Sequence, residues 1–205
     1  MSKIIYTDID FVLHNFFISF LKSSYILFQK EMTEEDVFAV MSHGNCYRPL
    51  QKFSEKLNMT EDQVNEAVWH SNESPDWYPT PFAQSLIKFL KNRKREGYEI
   101  LAVTARSSRN GAEKIIKDAF GFDLPVITCE SKYKHHVVGN GELFFEDHWK
   151  IINTCSEKFP NMQIYVPEWP WNKENVEKRE NVHMVQRAMF PLAIDELEKK
   201  YEQSK

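Results

Sequence analysis

The sequence predicts an α/β protein, a parallel sheet with helices packed on it and a helical insertion after the first strand. Three observations lead there. Short apolar runs recur at 4–7, 99–104, 125–128, 142–147 and 163–166. Helical patterns separate them, and strands alternating with helices pair in parallel through right-handed crossovers. Between the first run and the second, residues of about 14–76 read as helix alone.

Taken in order, Ile4, Ile5 and Tyr6 form a run ending in Thr7 and Asp8, which suits a buried strand whose C-terminal end opens at a polar site. Asn15–Lys30 carries Phe16, Phe17, Phe20, Leu21, Ile26 and Leu27 at helical spacing. Thr33 can cap a helix through Glu34–Met41. Thr60-Glu-Asp-Gln63 is a capping box that opens the apolar pattern Val64, Ala67 and Val68. The chain returns through Pro75–Pro81, rich in proline and turn residues. A helix at 82–95 and the turn residue Gly97 lead into the strand 99–104. Further helices are expected at 111–120 and 149–158. Pro191–Lys205 reads as a charged, solvated terminal helix. In such sheets ligands sit outside the carboxyl ends of the strands. There the runs end on Asp8 and Asp10, on Thr104, and on Glu146 and Asp147.

Composition narrows the class. Of 205 residues, 42% are hydrophobic, enough for a sizeable core. With 15 Phe, 8 Tyr and 5 Trp, the chain is no acidic, aromatic-poor disordered protein. A net charge of −4 gives no global pull toward nucleic acid or anionic membrane, so no stable nucleic-acid binding is expected. Cys46, Cys129 and Cys155 show no zinc-site spacing, and their odd number argues against a disulfide framework. With no leader-like run before the first acids and no apolar span of about 20 residues, we expect a soluble cytoplasmic protein without a membrane partner.

Two carboxylates two apart at a strand end can be aimed at one ligand. Alone they are a weak signal, equally a turn or a cap. The fuller pattern is specific. Asp8-Ile-Asp-Phe-Val-Leu13, Val103-Thr104-Ala-Arg106, Lys134 (with Lys132 as rival) and Phe144-Phe-Glu-Asp147 resemble, in order and spacing, the four motifs of the haloacid dehalogenase superfamily. The resemblance implies a Rossmann-like parallel sheet core (1–13 and 77–205) with a small helical cap (14–76) inserted after the first strand. It implies a Mg2+-dependent phosphatase. Asp8 is the expected nucleophile, forming an aspartyl-phosphate, and Asp10 the proton shuttle. Asp8, the Asp10 carbonyl and Asp147 are expected on the metal, with Glu146 holding a metal-bound water. Thr104, Ala105, Arg106 and Lys134 are the expected substrate contacts, although Arg106 reads equally well as a solvated loop residue. Lys132 and Lys134 lie in a polar stretch where lysine is usually at the surface.

One departure stands out. Phe11 occupies the place where the superfamily usually has glycine, whose backbone freedom phenylalanine lacks. The ring is expected to point into the lid or the substrate pocket.

A short helical cap followed by Trp77-Tyr-Pro-Thr-Pro-Phe-Ala-Gln-Ser-Leu86 resembles the 5'(3')-deoxyribonucleotidase family. So do Val166-Pro-Glu-Trp-Pro-Trp-Asn172 and the strand-like Asn181-Val-His-Met184. That resemblance implies a nucleoside monophosphate as the small phosphorylated substrate. Phe16, Phe17, Phe20 and Trp77 could supply a flat surface for its base, or could fill the cap's own core. A polynucleotide 3'-phosphatase and a catalytically lapsed binding protein of the same fold are the alternatives.

Overall fold

The computed structural model describes residues 3–41, 54–55, 58–73 and 76–203. Parts of the expected insertion, at 42–53, 56–57 and 74–75, lie outside the described residues. The chain runs β1 (Ile4–Thr7), α1 (Phe16–Phe28), α2 (Glu34–Met41), α3 (Glu61–Glu73), α4 (Ala83–Arg95), β2 (Glu99–Thr104), α5 (Arg109–Phe120), β3 (Val126–Thr128), α6 (Lys134–Val137), β4 (Leu143–Phe145), α7 (Trp149–Lys158), β5 (Gln163–Glu168), β6 (Val182–Gln186) and α8 (Phe190–Gln203). The fold is the expected one, a six-stranded sheet in the order β3-β2-β1-β4-β5-β6 with every pair parallel.

Strand alternation splits the core into two layers. Ile5, Ala102 and Phe145 join Leu86 and Leu90 of α4, Ile115 of α5 and Ile194 of α8. Tyr6, Val103, Phe144 and Ile164 join Ile151, Ile152 and Cys155 of α7 on the other face. The terminal helix therefore differs from the solvated end expected of it. Its Phe190, Ile194 and Leu197 are buried, and only its outer face is charged.

Local chemistry sets the helix ends. Thr60 and Gln63 exchange the two hydrogen bonds of a capping box, at 2.9 and 3.2 Å, and Thr33 caps α2 with Asp36 in the same way. Ser108 accepts from the Gly111 amide at the start of α5. Gly111 lets α5 approach the C-terminal end of α3, because a Cβ there would collide with the Asn72 carbonyl oxygen.

This topology places the site. Chain order runs outward from β1 in both directions, so the crevice at its carboxyl end lies between β2 and β4. Among the described residues, no helix is long and apolar enough to cross a membrane.

Candidate active site

At the carboxyl end of the central strands, three carboxylates and one ammonium meet out of water. Asp8 is 6% exposed, Glu146 0%, Asp147 1% and Lys134 1%. The Lys134 Nζ lies 2.7 Å from Asp8 Oδ2 and 2.9 Å from Glu146 Oε2. One carboxylate oxygen each from Asp8, Glu146 and Asp147 lies within 4.8 Å of the others. Backbone geometry fixes each acid. Asp8 follows the last residue of β1, its amide donates to the Phe145 carbonyl at 2.8 Å, and its Oδ1 accepts from the Ile9 amide at 2.7 Å. Glu146 Oε1 accepts from the amides of Asp147 and His148 at 3.1 and 3.0 Å.

The electrostatics are unbalanced. Burial, then Glu146, pushes the Asp8 carboxyl well above its ordinary range, and the same two causes raise Asp147. Burial works against Glu146 too, but Lys134 and the His148 amide hold it below the usual value. Lys134 is opposed by burial, yet Asp8 and Glu146 outweigh it and keep the ammonium charged. A single buried cation faces three buried acids, an arrangement that favours a further cation. The donor set, all carboxylate oxygen, suits Mg2+.

Of the two candidate lysines, Lys134 is the one that lies beside the acids. Lys132 is solvent-exposed and pairs with Glu130 at 2.8 Å. The lysine reaches inward because Ser131–Tyr133 forms a 3-10 turn leading into α6. Thr104 ends β2 fully buried, and its Oγ1 accepts from the Arg106 amide at 3.3 Å, which leaves its own hydrogen to donate. Ala105 beside it is exposed.

Asp10 and Arg106 form the arrangement that the sequence did not suggest. Arg106 is not a solvated loop residue but is buried and engaged with Asp10 and the Ser71 carbonyl. It is 4% exposed, and its Nε and Nη2 grip the Asp10 carboxylate at 2.8–3.2 Å. Its Nη1 donates to the Ser71 carbonyl of α3 at 3.3 Å, and Phe16 lies under the guanidinium at 5.6 Å. Asp10 itself is partly open, with a side chain 21% exposed.

Phe11 adopts the left-handed backbone that glycine takes most readily, with φ 59°. Its ring packs against Phe16 and Phe17 of α1 and against Trp169 and Trp171, with centroids 4.6–6.1 Å apart. It lies between the helical insertion and the loop after β5. Phe17 and Phe20, weighed as a base-binding surface, are core residues, whereas Phe16 and Trp77 are partly buried and pack at its margin.

The residues that the sequence left without a role are Trp169, Trp171 and Asn172. Trp171 Nε1 donates to Asp147 Oδ2 at 2.9 Å, and Asn172 Nδ2 donates to the Asp147 carbonyl at 3.0 Å. Trp169 Nε1 donates to the Phe11 carbonyl at 3.1 Å. The available signal was chemical, since a buried indole N–H needs an acceptor.

No family model matches the chain, and no curated protein matches it. Solved structures do resemble it. A structure from Clostridium difficile, provisionally named a phosphatase, superposes with a TM-score of 0.61 at 15% identity, over 94% of this chain and 98% of that one. A haloacid dehalogenase-like hydrolase from Streptococcus pneumoniae gives 0.55 at 14% identity, over 94% and 97%. CbbY from Rhodobacter sphaeroides, in complex with xylulose-1,5-bisphosphate, gives 0.51 at 11% identity, over 90% and 94%. At these identities the likeness is one of fold.

Proposed function

We propose that this chain is a magnesium-dependent phosphatase that hydrolyses small phosphate monoesters through an aspartyl-phosphate on Asp8, in the cytoplasm. The observation that carries the reading is the buried group of three carboxylates and one ammonium at the end of the central parallel strands. The fold likeness to a structure provisionally named a phosphatase and to a haloacid dehalogenase-like hydrolase supports it.

A bound Mg2+ held by Asp8, Asp147 and the Asp10 carbonyl, with Glu146 beside them, would supply positive charge that offsets the carboxylates and the phosphate. The side chains do the rest. An Asp8 oxygen attacks phosphorus, and the bond to the ester oxygen breaks. Lys134 and the Thr104 hydroxyl bind the phosphoryl oxygens. Asp10 gives its proton to the leaving oxygen and then takes one from the water that cleaves the acyl phosphate, which regenerates Asp8. Both Asp10 oxygens accept from Arg106, so the carboxylate has to turn out of that fork first. An incoming phosphate, competing for the guanidinium, favours that turn.

Residues 14–76 act in this reading as a lid over a core of 1–13 and 77–205. Arg106 ties the two, gripping Asp10 on one side and the Ser71 carbonyl on the other. A lid admits small esters and hinders polynucleotides, which disfavours a 3'-phosphatase acting on strands.

Among small esters we infer a nucleoside monophosphate, preferably a deoxynucleotide. The Trp77–Leu86 and Val166–Asn172 resemblances support this, and the partly buried Phe16, under the Arg106 guanidinium, puts an aromatic ring beside the site. The test begins with p-nitrophenyl phosphate and Mg2+. Asp8→Asn is expected to lose about a thousandfold or more in turnover while remaining folded. Wild-type rates in that variant would end the covalent mechanism. Steady-state kinetics on nucleoside monophosphates and sugar phosphates then decide the substrate. A sugar phosphate cleaved far better than every nucleotide would leave the phosphatase and remove the nucleotidase.

A further inference from the structure

The loop after β5 reaches both strand-end loops of the site from behind. Trp171 Nε1 donates to Asp147 Oδ2, Asn172 Nδ2 donates to the Asp147 carbonyl, and Trp169 Nε1 donates to the Phe11 carbonyl. The loop is itself braced, because Asn172 Nδ2 also donates to the Pro167 carbonyl and its Oδ1 accepts from the Trp169 amide. The two indoles lie flat on each other, with centroids 4.9 Å apart and planes 10° apart. Phe38 of α2 stacks on both, at 5.9 and 6.3 Å. Trp171 is fully buried and Asp147 is 1% exposed, so no water can replace a lost donor without the pile opening.

The two indole N–H groups differ in what they hold. Trp169 satisfies a neutral carbonyl in a turn. Trp171 instead gives its donor to one oxygen of the Asp147 side chain, one of the three acids of the site. A carboxylate rotates about its last bond unless something fixes an oxygen. With Oδ2 held by the indole, the plane of Asp147 is set, and with it the direction of the remaining lone pairs.

The geometry assigns Trp171 as a positioning residue that orients Asp147 toward a divalent cation. This rests on the metal reading of the site given above. The outer donor presets the ligand, so binding the cation does not first have to order it.

The test is a calorimetric Mg2+ titration of the full chain as wild type, Trp171→Phe, Trp169→Phe and Asp147→Asn. The two tryptophan variants each keep an aromatic ring in the pile and each lose one buried N–H. Trp171→Phe is expected to weaken Mg2+ binding about tenfold, in the direction of Asp147→Asn, and Trp169→Phe by no more than about twofold. Equal losses in the two would mean that the pile is merely structural, and wild-type affinity in Trp171→Phe would also overturn the assignment. Wild-type protein that binds no Mg2+ would overturn the metal reading and this inference with it. Should Trp171→Phe not fold, 15N-indole spectra of the wild type give the same decision. The Trp171 Nε1 signal is expected to move on adding Mg2+, while that of the exposed Trp69 stays. An unmoved Trp171 signal overturns the assignment.

Discussion

At the scale of single residues, Phe11 shows how a side chain can hold an unfavourable backbone. A left-handed φ of 59° costs phenylalanine about 1 kcal/mol relative to glycine. Four aromatic neighbours and the hydrogen bond from Trp169 oppose that cost. Removing a buried phenylalanine ring costs about 3–5 kcal/mol. Phe11→Gly, though it removes the backbone strain, is therefore expected to destabilise by about 2–4 kcal/mol in urea unfolding. A more stable variant would mean that strain outweighs packing here. His14 is a second case. Its Nδ1 accepts from the Tyr78 amide at 3.3 Å, which leaves the hydrogen on Nε2 facing Ser19 Oγ at 2.9 Å. Burial, against the opposing pull of Asp10, depresses its pKa to about 4 from an ordinary 6.5. The unfolded chain then binds the extra proton between those values, so stability present above pH 6.5 is lost as pH falls toward 4. The loss from this group is bounded at about 3 kcal/mol. His14→Gln should flatten that part of the stability–pH curve, and an unchanged acid limb would remove His14 as its cause. Neither environment was legible in the sequence. Asp8, Asp10, Thr104 and the paired acids could be read because they fall at strand ends. The partners of Arg106 and Trp171 come from segments 96 and 24 residues away, and no local pattern encodes such distances.

The elements were legible wherever they carry their own punctuation. The Thr60–Gln63 box, Gly97 and the amphipathic pattern of α4 are local signals, and the structure follows them. The burial of α8 was not, because a charged helix with one apolar stripe looks the same in solvent as against a sheet until its partner is known. Alanine at an interior helical glycine ordinarily stabilises by about 1 kcal/mol. At Gly111 the expectation reverses. An added Cβ would strike the Asn72 carbonyl oxygen at the end of α3 and lie 3.3 Å from the capping Ser108 Oγ. Backbone cannot give way as a side-chain tip can, so α3 and α5 would have to separate. Gly111→Ala is expected to destabilise by about 1–3 kcal/mol, read as a lower urea midpoint. A raised midpoint would show that α3 yields freely, and that the insertion is held to the core elsewhere.

Across the whole molecule, the two ends of the sheet do different work. Charges left without enough partners gather at the carboxyl ends of the strands, where ligands bind. At the opposite end a second buried polar group ties the C-terminal helix to the rest of the fold. Arg93 of α4 is completely buried, ion-paired with Glu96 at 2.7 Å and hydrogen-bonded to Glu198 of α8 at 2.9 Å, with its guanidinium over the rings of Phe89 and Tyr201. Tyr201 and Tyr98 both donate to Glu142, just before β4. This cluster locks α8 across α4 at the amino ends of β2 and β4. Removing one partner of a fully buried ion pair costs about 3–5 kcal/mol, because the other charge is stranded. Here the side chains of Glu96 and Glu198 are 25% and 20% exposed, so water relieves part of that penalty. Arg93→Met, which keeps the length and apolar stem, is therefore expected to cost about 1–3 kcal/mol. Arg93→Ala, which also empties the space between the two rings, should cost more. Because the cluster stands at the far end of the strands from Asp8, both variants should keep the turnover and Mg2+ dependence proposed for the wild type, at temperatures where they are folded. Urea unfolding alongside p-nitrophenyl phosphate kinetics on the same samples measures both halves. A fall in kcat without a fall in stability would show that the two ends of the sheet are coupled.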